Sequence, residues 1–193
     1  MLLALFPTLI TTVEMHDFDL YKEKFIDKAL NLYQTVDSQI DWRCDTFSTL
    51  NSFDMISDPL FKNLNQKIIT ETLKFSKEYG VTNNDLQITD AWLNVARPGA
   101  FQEYHIHTAS HFSAVYYVKS KINSGNIVFR SFEADTDMFP LPVNELTPAS
   151  FKTMSLPPEE NKLLIFRSNL KHMVEKNNSD DYRISISINL CFK

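Results

Sequence analysis

Hydrophobic periodicity changes once along this chain, at Gly80, and that change limits the folds open to it. Before it, Phe18, Tyr21, Phe25, Ile26, Ala29, Leu30 and Tyr33 recur at helical spacing across residues 17–35, with Asp17 placed as a cap. A second stripe, Leu60, Leu64, Ile68 and Phe75, has clearer punctuation: Ser57 or Asp58 can cap it, Pro59 suits its first turn and Gly80 can end it. Both stripes read as faces packed onto a sheet. Beyond Gly80 the period becomes two, in residues 87–95, 113–119, 126–132, 162–166 and 183–190, which predicts strands. Residues 135–158 hold five of the eight prolines and little periodicity, which predicts a long loop. Helices followed by many short antiparallel strands predict an α+β, mainly β, domain in which the helices back a sandwich or jelly roll. Residues 1–80 would then be helical support and 81–193 the jelly-roll core of a single domain.

Composition narrows the function classes. A chain of 193 residues can bury roughly 70% of its unfolded surface, so it needs no staples. Nineteen basic against twenty-four acidic residues, a net charge of −5, argue against nucleic acid as the main partner. Only Cys44 and Cys191 are present, which excludes a disulfide scaffold and makes a reducing cytoplasm the simplest setting. Residues 1–10 are apolar but lack a basic start and a small-residue cleavage site, and Pro7 interrupts them; they read as a first strand, not a signal peptide. No apolar run is long enough to cross a bilayer. A homodimer is only the generic expectation.

Chemistry concentrates in the histidines. Of His16, His105, His107, His111 and His172, a lone residue such as His16 reads as an ordinary core or surface side chain. In Tyr104-His105-Ile106-His107, however, positions two apart on a strand share a face, with Cα atoms roughly 6.5 Å apart, so both imidazoles can converge on one metal ion. A third ligand must come from elsewhere, and His172 is the distant histidine in a strand-like context. His111 stands open as a substrate contact, an alternative ligand or a solvent-facing residue. Beyond His172, alternation puts Ile184, Ile186 and Ile188 on one face and Arg183, Ser185, Ser187 and Asn189 on the other. Taken alone, that is an amphipathic edge strand with its polar face in water. Turn formers in residues 176–181, though, should fold it back beside His172. An arginine with a serine two residues on, near a metal ligand, makes a carboxylate clamp: a planar fork of donors plus a hydroxyl. A metal with open positions beside such a clamp calls for a small acidic ligand that bridges the two.

These residues resemble the Fe(II)/2-oxoglutarate-dependent oxygenases, and within them a small subfamily from bacteria and bacteriophages. The resemblance runs from Leu5-Phe6-Pro7-Thr8 through Ala91-Trp92-Leu93-Asn94, Gly99 and His105-Ile106-His107 to Ser113-Ala114-Val115-Tyr116-Tyr117-Val118. Its most specific part is 163–189, with Leu164-Ile165-Phe166, His172 and Arg183-Ile184-Ser185. It implies a double-stranded β-helix with helices on one side. It also implies an Fe(II) enzyme that uses 2-oxoglutarate and O2, decarboxylates the former to succinate and CO2, and hydroxylates a protein, peptide or metabolite substrate. His105 then matches the first metal ligand and His172 the distal one, while His107 stands where the family usually has a carboxylate, with water or Glu103 as the alternative there. Arg183 and Ser185 match the pair holding the far carboxylate of 2-oxoglutarate, Tyr117 a strand tyrosine donating to it, and Asn94 a further cofactor-binding position. Trp92 shares the face of Asn94 and either lines the pocket or packs in the core. The 135–158 loop is placed to act as a lid. Two rivals remain. Gly99 followed by His105-Ile106-His107 also resembles the opening of a cupin motif, although His111 stands where its glutamate is expected. A non-catalytic jelly-roll binding module is the other, and a carboxylate clamp has no use there.

Overall fold

The computed structural model describes residues 6–37 and 45–193, so Cys44 and the first half of the expected opening strand lie outside it. The chain runs β1 (Ile10–Glu14), α1 (Lys22–Thr35), β2 (Phe47–Ser48), α2 (Lys62–Ser76), β3 (Leu86–Ala96), β4 (Gln102–His105), β5 (Phe112–Lys119), β6 (Ile127–Arg130), β7 (Thr153–Leu156), β8 (Lys162–Arg167), β9 (His172–Val174) and β10 (Arg183–Phe192). A six-stranded sheet, in the order β1-β8-β5-β10-β3-β2, faces a four-stranded sheet, β4-β9-β6-β7. Every pairing is antiparallel. This is the double-stranded β-helix, with helices on one side.

Alternation on the central strands explains the layering. One face of β10 presents Ile184, Ile186 and Ile188, which pack with Leu93 and Val95 of β3 and Tyr116 and Val118 of β5. The same cluster takes Phe25, Ala29 and Leu32 from α1 and Leu64, Ile68 and Phe75 from α2, so the helices cover the outer face of the large sheet. Phe25 and Phe61 stack there at 5.2 Å between ring centres. Burying a side chain of this size contributes about 1.5–3 kcal/mol. Between the sheets a smaller cluster of Ile127, Phe129, Leu164, Phe166 and Leu170 fills part of the barrel and leaves the rest open.

Several boundaries differ from the expectation. Among the described residues the first strand begins at Ile10, where its ladder with β8 runs from Ile10 opposite Phe166 to Glu14 opposite Lys162. Asp17 is not a helix cap: residues His16–Tyr21 form a 3₁₀ turn and α1 follows Tyr21. The second helix starts as expected, with Asp58 accepting from the Leu60 amide at 2.9 Å and Pro59 in the first turn, and Gly80 ends that helical stretch at φ 74°. The 135–158 stretch is not all loop, since β7 extends the small sheet against β6. β10 does not lie beside His172 either. It sits inside the large sheet while β9 sits in the small one, so the two meet face to face. Nor is β10 an edge strand: Arg183, Ser185 and Ser187 of its polar face are buried too.

Among the described residues no helix is long and apolar enough to cross a membrane.

Candidate metal centre and anion pocket

Cross-strand register sets the inner wall. On β10, Ser185 lies opposite Asn94 and Tyr117, Ser187 opposite Trp92 and Val115, and Asn189 opposite Asp90 and Ser113. Paired residues point to the same side, so these positions form one polar-aromatic surface facing the small sheet. From that sheet, His105 of β4 and His172 of β9 are directly opposed partners. Between the walls is a cavity of about 440 Å³ lined by His105, His107, His172, Asn94, Trp92, Tyr117, Arg183 and Ser185, among others.

At one end three imidazoles converge. A nitrogen from each of His105, His107 and His172 lies within 4.8 Å of the others. The ring centres of His105 and His172 are 4.3 Å apart, and those of His107 lie 5.3 and 5.2 Å from them. His107 is past the end of β4, so it is not the strand neighbour of His105 that the i, i+2 pattern implied. Its amide instead bonds the Ser168 carbonyl at 2.9 Å, which returns its ring to the same cluster.

Each ring is oriented from behind. His105 Nδ1 donates to the Glu103 carbonyl at 2.8 Å, and His172 Nδ1 to the Leu170 carbonyl at 2.8 Å. His107 Nδ1 is 2.6 Å from Asn189 Oδ1. A carbonyl oxygen only accepts, so all three protons sit on Nδ1 and the lone pairs on Nε2. Burial pushes the imidazoles away from the charged form: His105 falls to about 4, with a smaller opposing pull from the Glu103 carbonyl. His107 is lowered, and His172 lies well below its ordinary value. Three neutral nitrogens of one tautomer fit a divalent first-row metal.

A cation marks the rest of the pocket. Arg183 is 4% exposed, and its Nη1 donates to the Ser124 and Gly125 carbonyls at 2.5 and 3.0 Å. Among the described residues no carboxylate pairs with it. Burial lowers its pKa, and Tyr117 partly opposes the shift. A buried cation without an anion costs on the order of several kcal/mol. Tyr117, also buried, has its phenol pushed up to about 12 by burial, so it remains a donor. Asn94 donates to Ser187 Oγ at 2.9 Å, while its Oδ1 is buried without a partner among the described residues.

The seven expected site residues therefore line one cavity. Trp92 does too, packing 5.6 Å from the His107 ring. Glu103 and His111 do not line it. Glu103 reaches the site only through its backbone, and His111 is exposed, with its Nδ1 accepting from the Phe192 amide at 3.1 Å. Gly125 was not singled out from the sequence. Its φ is +91°, and a Cβ there would meet the Glu175 carbonyl at 2.2 Å and Arg183 Nη1 at 2.8 Å. The scarcity of glycine, three in the chain, was the signal available.

A jelly roll enclosing an imidazole face and a buried guanidinium has the architecture of a metal-dependent enzyme that takes an anionic co-substrate. The matching family is described as "Putative 2OG-Fe(II) oxygenase", over residues 90–189. The chain belongs to this family and is a 2-oxoglutarate- and Fe(II)-dependent oxygenase. No curated protein matches the chain. Among solved structures it is similar to a Pseudomonas putida prolyl-4-hydroxylase at 11% identity and a TM-score of 0.70, over 96% of this chain and 94% of that one. It is similar to the epimerase SnoN in complex with Fe3+, alpha ketoglutarate and nogalamycin RO at 11% identity and 0.71, over 96% and 79%. HygX from Streptomyces hygroscopicus, with nickel and 2-oxoglutarate bound, is similar at 12% identity and 0.62, over 96% and 84%. These likenesses are likenesses of fold.

Proposed function

We propose that the protein hydroxylates a substrate C–H bond, with His105, His107 and His172 holding Fe(II) through Nε2 and with Arg183, Ser185, Tyr117 and Asn94 holding 2-oxoglutarate. When bound, the metal and co-substrate supply O2 activation, with 2-oxoglutarate giving succinate and CO2 while one oxygen atom enters the substrate. Arg183 neutralises the far carboxylate through its fork, Ser185 adds a hydroxyl donor, and the Tyr117 phenol keeps its proton to donate a third bond. Asn94 can donate from its amide nitrogen once the amide is flipped, so that Oδ1 accepts from the Ser187 hydroxyl and the nitrogen takes the place of the oxygen in the pocket. Trp92 and Val115 line the wall between and exclude water.

The observation that carries this reading is the buried guanidinium, without a carboxylate partner among the described residues, in the same cavity as three neutral imidazoles. His107 stands where the family more usually has a carboxylate, so all three protein ligands are neutral here.

Anaerobic reconstitution with Fe(II) and 2-oxoglutarate, then exposure to O2, should release succinate. His105→Ala, His107→Ala and His172→Ala should abolish that release. Arg183→Ala should instead raise the 2-oxoglutarate Kd by about ten- to a hundredfold, matching the loss of a charge-assisted hydrogen bond. A His107→Ala enzyme with full activity would exclude that residue as a ligand.

A further inference from the structure

Behind His107 lies a chain of hydrogen bonds that the proposed chemistry leaves unused. Asn189 Oδ1 approaches His107 Nδ1 at 2.6 Å, and the Asn189 amide nitrogen reaches Asp90 Oδ2 at 3.5 Å. Asp90 and Asn189 are directly opposed across β3 and β10, so the ladder itself holds the pair together. The other two histidines take their orienting bonds from backbone carbonyls, whose polarity cannot reverse. A side-chain amide can flip. Something has to fix which of its ends faces His107.

Asp90 does so, and a chain of serines is compatible with that choice. The Asp90 carboxylate oxygen accepts, so it draws the Asn189 NH2 and turns Oδ1 toward the imidazole. A serine relay acts from the other side. Ser110 donates to Ser168 at 2.9 Å, Ser168 and Ser113 are 2.9 Å apart, and Ser113 donates to Asn189 Oδ1 at 2.9 Å. With its proton given to Asn189, the Ser113 hydroxyl can only accept from His107 Nδ1, 2.9 Å away. With Asn189 Oδ1 turned to the ring, the network accommodates the proton on His107 Nδ1, where the Asn189 oxygen and the Ser113 hydroxyl both accept it. The reverse tautomer would set the Nδ1 lone pair against the Asn189 oxygen at 2.6 Å.

We propose that Asn189 and Asp90 are positioning residues that lock His107 in the tautomer and orientation presenting Nε2 to the metal. The proposal rests on His107 being a ligand. It places the site's carboxylate one relay behind the ring that replaces the usual acidic ligand, where it raises the basicity of that nitrogen without touching the ion.

Co(II) binding to the metal-free protein, followed by visible absorption, tests this without turnover. Asn189→Leu keeps the branched side-chain shape and removes the Asn189 acceptor, leaving the Ser113 hydroxyl at Nδ1, and should weaken Co(II) binding by about ten- to a hundredfold. The double variant Asp90→Asn with Asn189→Asp restores the polarity: the new amide donates to the new carboxylate, which accepts from His107. It should bind within a few-fold of wild type and with the wild-type spectrum. The relay is overturned if Asn189→Leu binds like wild type, or if the exchanged pair binds as weakly as Asn189→Leu. Should Asn189→Leu fail to fold, the exchanged pair decides alone, and Co(II) binding weakened about tenfold or more in it overturns the relay. Wild-type protein that does not bind Co(II) would overturn the metal centre itself along with the relay, whereas intact wild-type binding with an indifferent Asn189→Leu sinks only the relay.

Discussion

Gly125 shows how one backbone position can hold a charged side chain. Its carbonyl accepts from Arg183 while the space beside its Cα is taken by the same guanidinium and by the Glu175 carbonyl. Gly125→Ala should cost about 1–3 kcal/mol through the left-handed backbone and the clash, and it should also weaken 2-oxoglutarate binding by displacing Arg183. Gly80→Ala is the control. That glycine is also left-handed, but none of the described residues comes within 4 Å of its Cβ position, so stability should fall while co-substrate affinity stays constant. Urea melts and co-substrate titrations with Mn(II) as the metal would separate the two effects. At this scale, residue type and spacing marked His105, His107, His172, Arg183 and Ser185, because metal and carboxylate chemistry demand particular side chains. Gly125, Asn189 and Asp90 carry no such mark. They act through what they touch.

Elements were legible where one face is apolar and the punctuation local. Pro59, Asp58 and Gly80 bracket the second helical stretch because capping depends on immediate neighbours. Burial alone would raise the Asp58 pKa, yet the Lys28 ion pair at 2.9 Å and the Leu60 amide outweigh it and hold the carboxyl below its ordinary 3.8. A depressed carboxylate contributes stability above its unfolded pKa and loses it as pH falls through the folded value. Asp58→Asn should therefore keep most of the cap near neutral pH and flatten the loss of stability below about pH 4, whereas Asp58→Ala should cost about 1 kcal/mol at pH 7. Denaturant melts at pH 7 and pH 3 would check both. The short strands were harder. β2, β4, β7 and β9 have two to four residues, too few for alternation to register, and they exist because a neighbouring strand supplies their hydrogen bonds.

For the whole molecule, the consequence of the fold is that the centre bridges two sheets. His105 and His172 belong to the small sheet, while His107 is bonded to Asn189 in the large one. A bound ion should therefore resist separation of the sheets. At a hundredfold excess over its Kd, a metal stabilises by about 2.7 kcal/mol, on the order of 5–10 °C in Tm for a chain of this length. Calorimetry should show that rise with Co(II), its loss with a chelator, and no response in His172→Ala; an equal shift in that variant would place the ion elsewhere. The sequence by itself determined the helices-then-strands order, the amphipathic faces and which side chains carry chemistry, because periodicity and residue type are local properties. Only the tertiary structure decided that β10 lies inside the large sheet opposite β9, that His107 joins the other two rings from beyond its strand, and that Asp90 stands behind Asn189. Those follow from hydrogen-bond register between segments far apart in the chain, and register is settled by how the two sheets close around a shared core.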